Sequence, residues 1–207
     1  MPGQKNGRSM KRSRQMPQGL HFYEKKTRIR LDLLQEVFLW LFYTAIAAAL
    51  AVILSFSFGK RITVYGESME PAVHSGQQVL IDRVLYWITS VSRYDVIAFY
   101  PGGNEDASPY VKRVIGMPGD TIRIENGQIL INGIPDPQSS GYSYIEDSGV
   151  AGVDIPVAAD EYFVIGDNRN SSEDSRSASI GNVRKSSVIG KVWFSLPKRG
   201  MSFGRIR

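Results

Sequence analysis

Residues 37–58, VFLWLFYTAIAAALAVILSFSF, form a run of 22 without one charged side chain. As a helix rising about 1.5 Å per residue the run would reach roughly 33 Å, enough to cross a hydrocarbon core of about 30 Å. A chain with such a segment must bury it in a large core or place it in lipid. A buried helix of this length rarely lacks a charge, and Trp40 and Tyr43 lie near one end, where aromatic rings favour the membrane interface. A cleaved signal peptide would carry a shorter apolar stretch, roughly 7–15 residues, and Ser57-Phe58-Gly59 is a poor small-x-small cleavage site. The run therefore reads as an uncleaved transmembrane helix over residues 36–58. It divides the chain into a basic tail, 1–35, and a larger region, 59–207.

Charge suggests the orientation. Residues 1–36 hold nine Lys or Arg against three acids, a balance of +6, whereas the whole chain carries +5, so residues 37–207 sum to −1. Positive flanks stay inside, which predicts a cytoplasmic N-terminus and an extracytoplasmic C-terminal domain; Lys60 and Arg61 oppose this only weakly. The same balance disposes of nucleic acid as a partner. The pI of 9.4 is high, but the excess charge sits in the tail, which suits anionic lipid headgroups better. The first twenty residues are polar and rich in Gly, Pro, Gln and Arg, a disordered composition. With no cysteine, disulfides and thiolate metal sites are excluded. Two histidines, His21 and His74, offer too few ligands for zinc. No metal and no cofactor is expected.

Beyond residue 60 the chain reads as short strands: 61–65, 78–82, 96–100, 110–115, 121–125, 128–131, 162–165 and 188–194. These segments are apolar or alternating and rich in Val, Ile, Tyr and Phe. Turn signals such as Pro118-Gly119-Asp120 and Gly166-Asp167-Asn168 separate them. Asn126-Gly127 between two of them predicts a two-residue hairpin. No stretch has a long helical period. The fold class expected is mostly β, with one N-terminal transmembrane helix. Residues 134–160, with Pro135, Pro137, Gly141, Gly149 and Gly152, read as a loop or small insertion.

The chemistry begins with Ser68, in Gly66-Glu67-Ser68-Met69-Glu70-Pro71. It is either a turn or cap residue or a nucleophile. A triad would need His74, six residues on in a turn-like stretch. A serine can instead be activated by a neutral lysine, provided that burial disfavours the ammonium. Lys112, in Tyr110-Val111-Lys112-Arg113-Val114-Ile115, stands on an apolar strand; it is either that base or an edge-strand surface lysine. The polar run from Gly166 to Arg176 is either a solvated loop or a network that fixes neighbouring groups. Gly66 allows close backbone approach, which suits an oxyanion site built from main-chain amides.

Together these pieces resemble the bacterial type I signal peptidases. An anchor is followed in order by Gly-Glu-Ser-Met-Glu-Pro, Arg93-Tyr94-Asp95-Val96-Ile97, Lys112 to Asp120, and Gly166-Asp167-Asn168-Arg169 with Ser172-x-Asp174-Ser175-Arg176. The resemblance implies a β-rich catalytic domain with a small β insertion and a Ser68–Lys112 dyad. It implies that Ser172 orients the lysine, and that Asp174 with Arg176 and Asp167 with Arg113 form supporting ion pairs. The oxyanion would be held by the Ser68 amide and a group at Gly66. Glycine, as in the single-anchor members, has no donating hydroxyl there, so a backbone amide or water must serve. Substrate would add as a strand beside Thr63, Val64, Tyr65, Tyr110 and Val111, with small side chains at −1 and −3. The implied partners are exported preproteins, membrane lipid and possible secretion machinery. Other readings are a self-cleaving repressor-type protease, an inactive homologue serving as a membrane-anchored assembly factor, for example in pilus building, and an anchored adhesion domain. Mutation of Ser68 and Lys112 separates them.

Overall fold

The structure, a computed structural model, describes residues 31–58, 60–83, 86, 90–198 and 204–206. The basic tail up to residue 30 and the aromatic Trp87 lie outside the described residues.

Helix α1 runs Leu31–Phe58, 28 residues. It begins earlier than the uncharged run because helical backbone tolerates Asp32 and Glu36. Charge marks where a lipid-compatible stretch ends, not where a helix starts. Within α1 the segment Leu33–Ser55, 23 residues with mean hydropathy 2.5, is long and apolar enough to cross a membrane. Its large side chains, among them Phe38 and Trp40, are exposed.

The remainder is β structure in two antiparallel sheets. The first contains β1 (Lys60–Thr63), β2 (Gln78–Asp82), β3 (Val96–Phe99), β4 (Tyr110–Gly116), β9 (Glu161–Ile165), β10 (Val183–Arg184) and β11 (Val188–Ser195). Their order is β1-β2-β11-β3-β4-β9-β10, and β12 (Gly204–Arg205) also pairs with β11. The second sheet is built from β5 (Thr121–Glu125), β6 (Gln128–Ile131), β7 (Ile134–Pro135) and β8 (Ile155–Pro156), in the order β7-β6-β5-β8.

Local sequence explains both sheets. Strand β5, Thr-Ile-Arg-Ile-Glu, buries Ile122 and Ile124 and turns its polar residues outward. Its hairpin to β6 turns at Asn126 (φ 50°) and Gly127 (φ 72°), the left-handed pair that a tight two-residue turn requires. Strand β3, Val-Ile-Ala-Phe, is buried at every position because it lies between β11 and β4 with both faces covered. Residues 134–160 are not a free loop. Ile134–Pro135 pairs with β6 and Ile155–Pro156 with β5, so the stretch completes the second sheet.

Three apolar clusters carry the fold. One joins Ile62, Val64, Met69 and Val73 to β2, β3 and β11. A second lies between the two sheets around Ile115, Ile122, Phe163 and Ile165. A third gathers Ile97, Phe99, Val114, Val164 and Val183. The β1–β2 turn and the β9–β10 loop, which carry most of the polar chemistry, are seated on this frame.

Candidate active site

Ser68 lies in the turn that follows β1. Met69 and Val73 are both fully buried in the first cluster, and the Val73 amide donates to the Met69 carbonyl at 2.9 Å. The side chain after the serine thus plugs the turn into the core while Ser68 itself stays half-buried. The sequence offers Met69 no periodic signal, and its anchoring role is visible only in three dimensions. A second tie comes from across the site: the Asn168 amide donates to the Ser68 carbonyl at 3.0 Å.

Lys112 is buried, only 4% exposed, on β4 opposite Ile97 of β3 and one residue before the strand's pairing to β9 begins. The surface reading of this lysine does not hold. Its Nζ donates to Ser68 Oγ at 2.6 Å and lies 5.5 Å from the centre of the Tyr110 ring. Burial disfavours the ammonium and pulls its pKa from 10.5 down to about 8, against the opposing pull of Asp174, Glu173 and Asp167. His74 takes no part with Ser68; its Nδ1 pairs with Glu70 Oε1 at 3.1 Å.

The β9–β10 loop holds the surroundings rigid. Arg113, next to Lys112, points to the opposite face of the sheet and meets Asp167 through two bonds: Nε to Oδ1 at 2.7 Å and Nη2 to Oδ2 at 2.6 Å. A third bond runs from Arg113 Nη1 to the Tyr94 carbonyl at 2.8 Å. Arg176 grips Asp174 in the same way, Nε to Oδ1 at 2.8 Å and Nη2 to Oδ2 at 2.9 Å. Burial opposes ionisation of Asp174, but the Arg176 guanidinium outweighs it, and the pKa stays below the usual carboxylate value. Asp174 Oδ2 also accepts the Gly166 amide at 3.0 Å. Gly166 has to be glycine, since a Cβ there would strike the Ser68 carbonyl and Ser172 Oγ.

Two site residues stand differently from the family-based expectation. Ser172 Oγ is buried without a hydrogen-bond partner, so no bond to Lys112 is formed. The Gly66 amide donates to Ser75 Oγ at 3.2 Å and is therefore already engaged. Gly66 itself adopts φ 84° with open space where a side chain would be. Among the described residues nothing accepts the Ser68 amide.

A groove of about 360 Å³ opens over the dyad, bordered by Val64, Tyr65, Ser68, Tyr110, Val111 and Lys112. Thr63 is not on its wall; it pairs with Gln78 in β1. The Val64 amide and carbonyl are bonded to Gln77 and Gly76, whereas the backbone of the exposed Tyr65 has no partner among the described residues. On β4, pairing to β9 begins only at Arg113, so residues 110–112 keep an open edge on that side. Two other residues were not singled out by sequence reasoning. Arg169, 1% exposed, stacks on the Tyr142 ring at 4.1 Å, and Asn170 bonds the Glu146 amide at 3.1 Å and the Tyr144 carbonyl at 2.9 Å. Both tie the loop to the second sheet's excursion.

Among the described residues no group of His, Asp or Glu is placed to hold a metal ion. The arrangement is a hydroxyl beside a buried amine whose pKa is lowered, at the foot of a groove with open strand edges, and it suits the chemistry of a serine hydrolase.

Residues 36–196 match the family described as signal peptidase, peptidase S26. Signal peptidase I of Bacillus amyloliquefaciens is 34% identical over 167 residues, covering 75% of this chain and 85% of that protein. Signal peptidase IB of Staphylococcus aureus (strain COL) is 32% identical over 179 residues, covering 77% and 89%. A solved signal peptidase I from Enterococcus faecalis V583 is 30% identical, covers 50% of this chain and 97% of its own, and superposes with a TM-score of 0.40. The chain belongs to the signal peptidase S26 family and is a serine endopeptidase.

Proposed function

We propose that this protein removes signal peptides from exported preproteins by a Ser68–Lys112 dyad. Support comes above all from one observation, the 2.6 Å contact between Ser68 Oγ and a lysine amine whose pKa burial lowers to about 8.

In the reacting form neutral Lys112 Nζ accepts the Ser68 proton as Oγ attacks the carbonyl carbon before the cut. The Ser68 amide, without another partner among the described residues, donates to the oxyanion. The engaged Gly66 amide must release Ser75, or leave the second donation to another group, while the absent side chain at Gly66 keeps the approach open. The ammonium at Lys112 then gives its proton to the leaving amine and the C–N bond breaks, leaving an ester on Ser68. Water, deprotonated by Lys112, attacks that ester, and Ser68 Oγ departs with the proton. The Asp174–Arg176 and Asp167–Arg113 pairs position the loop against the dyad, and Ser172 orients Lys112 in the reacting form.

The substrate runs extended, pairing with the open backbone at Tyr65 and along Tyr110–Val111, with Thr63 supporting from within β1. Small residues fit at −1 and −3. Residues 36–58 anchor the enzyme in the cell membrane, the basic tail 1–35 lies cytoplasmic against lipid, and residues 59–207 form the extracytoplasmic catalytic domain, within reach of secretion machinery.

The test is to incubate the full chain in detergent with a preprotein and sequence the new N-terminus. Cleavage after a small-x-small site, absent with Ser68→Ala and with Lys112→Ala, is the expected result. Equal processing by folded Ser68→Ala would end the proposal.

A further inference from the structure

Glu173 borders the dyad groove, at the loop position between Ser172 and Asp174. Though exposed, its carboxylate is held at both oxygens. Tyr110 donates its hydroxyl to Oε2 at 3.2 Å, and Ser179 Oγ donates to Oε1 at 3.0 Å. Tyr110 is itself a wall of the groove, with its ring facing Lys112 Nζ. The acid is therefore fixed on the groove's rim rather than swinging in solvent.

Its charge is uncompensated. Asp174 and Asp167 each have a guanidinium partner, whereas among the described residues no cation pairs with Glu173. The groove's other charged side chains are Glu67 and Lys112. When Lys112 is neutral, as in the reacting form of the dyad, two carboxylates and no cation among the described residues border the groove. A fixed potential of one sign selects ligands of the other.

We propose that Glu173 sets a charge preference on the cleaved segment, favouring Lys or Arg and disfavouring Asp or Glu close to the cut. This rests on the groove being the substrate site of the dyad proposed above. Glu173 also acts on the base. The charged groups facing Lys112 are Asp174, Glu173 and Asp167, which favour its ammonium, and Arg176, which opposes it. Removing the Glu173 charge lowers the Lys112 pKa further and moves the acid limb of activity to lower pH, an effect that a purely structural residue would not produce.

The experiment uses the full chain in detergent and peptides spanning one preprotein cut, carrying Lys, Gln or Glu in turn at each of the three positions on either side. For the wild type, kcat/KM should favour Lys over Glu at one or more positions by about two- to fivefold. Added salt should shrink the ratio. Glu173→Gln should remove most of the preference, Glu173→Lys should invert it, and both should carry the acid limb to lower pH. A Lys-to-Glu ratio identical in wild type and Glu173→Gln at every position overturns the inference while leaving the dyad intact. If Ser68→Ala cleaves the peptides as well as wild type does, the dyad reading fails, and this inference fails with it.

Discussion

Replacing Lys112 with Met separates the catalytic use of the amine from its structural cost. The two side chains are similar in length, and Met suits an apolar site without carrying charge. Burial takes the Lys112 pKa from 10.5 to about 8. At 1.36 kcal/mol per unit, that shift corresponds to about 3 kcal/mol of folding free energy. The residue is only 4% exposed, so solvent screening removes little of this. The sign follows from proton counts. Below pH 8 native and unfolded chains both hold the proton, and folding bears the full cost. Between pH 8 and 10.5 only the unfolded chain holds it, so native stability rises with pH. Above that range the cost is gone. Lys112→Met lacks the titrating group altogether, and the groups that do not interact with Lys112 cancel in the difference between the two proteins. Urea unfolding of the full chain in detergent, followed by tryptophan fluorescence, should show the inactive variant more stable at pH 6 by about 3 kcal/mol, with the gap closing as pH approaches 10.5. A gap that stays constant with pH, or a variant less stable at pH 6, would refute a desolvated base.

Two further substitutions probe the loop that holds the dyad. Asp167→Asn removes the carboxylate that faces the buried Arg113 guanidinium on the opposite face of β4; the same unfolding assay should show a loss of about 3–5 kcal/mol, and a loss under about 1 would mean that the pair is replaceable. Gly166→Ala pushes a methyl onto the Ser68 carbonyl and Ser172 Oγ; kcat should fall at least about tenfold with the fold retained, since small displacements at a reacting group are costly. Unchanged kcat would show that the loop can yield there.

Strands were legible wherever side chains alternate or β-branched residues cluster, as in β5 and β4. Two-residue strands such as Ile134–Pro135 and Ile155–Pro156 are too short to carry a period, so the excursion around them read as a loop or small insertion. Strand order was not legible either. That β11 inserts between β2 and β3 is decided by pairing across about a hundred residues of chain, and local pattern does not encode it. The same limit governs Lys112. Residue pattern marks an apolar strand, but whether that strand is edge or interior depends on neighbours far along the chain. Family resemblance named the dyad residues before any geometry was in hand. It did not foresee that Ser75 engages the Gly66 amide, or that Ser172 Oγ lies unbonded. The Arg169–Tyr142 stack, 4.1 Å apart, joins two residues that belong to no common motif.

Lys112 and Arg113 are chain neighbours on opposite faces of β4, one reaching Ser68 and the other locked to Asp167. A slip of that strand by a single residue would exchange their faces. It would put a permanently cationic fork where a proton acceptor is needed, and leave Asp167 opposite a lysine that cannot make the two-pronged bond. The Arg113–Asp167 clasp therefore proofreads the alignment of β4: a misregistered strand loses its ion pair at once, so a chain that has closed this clasp has also delivered the amine to the right side of the sheet.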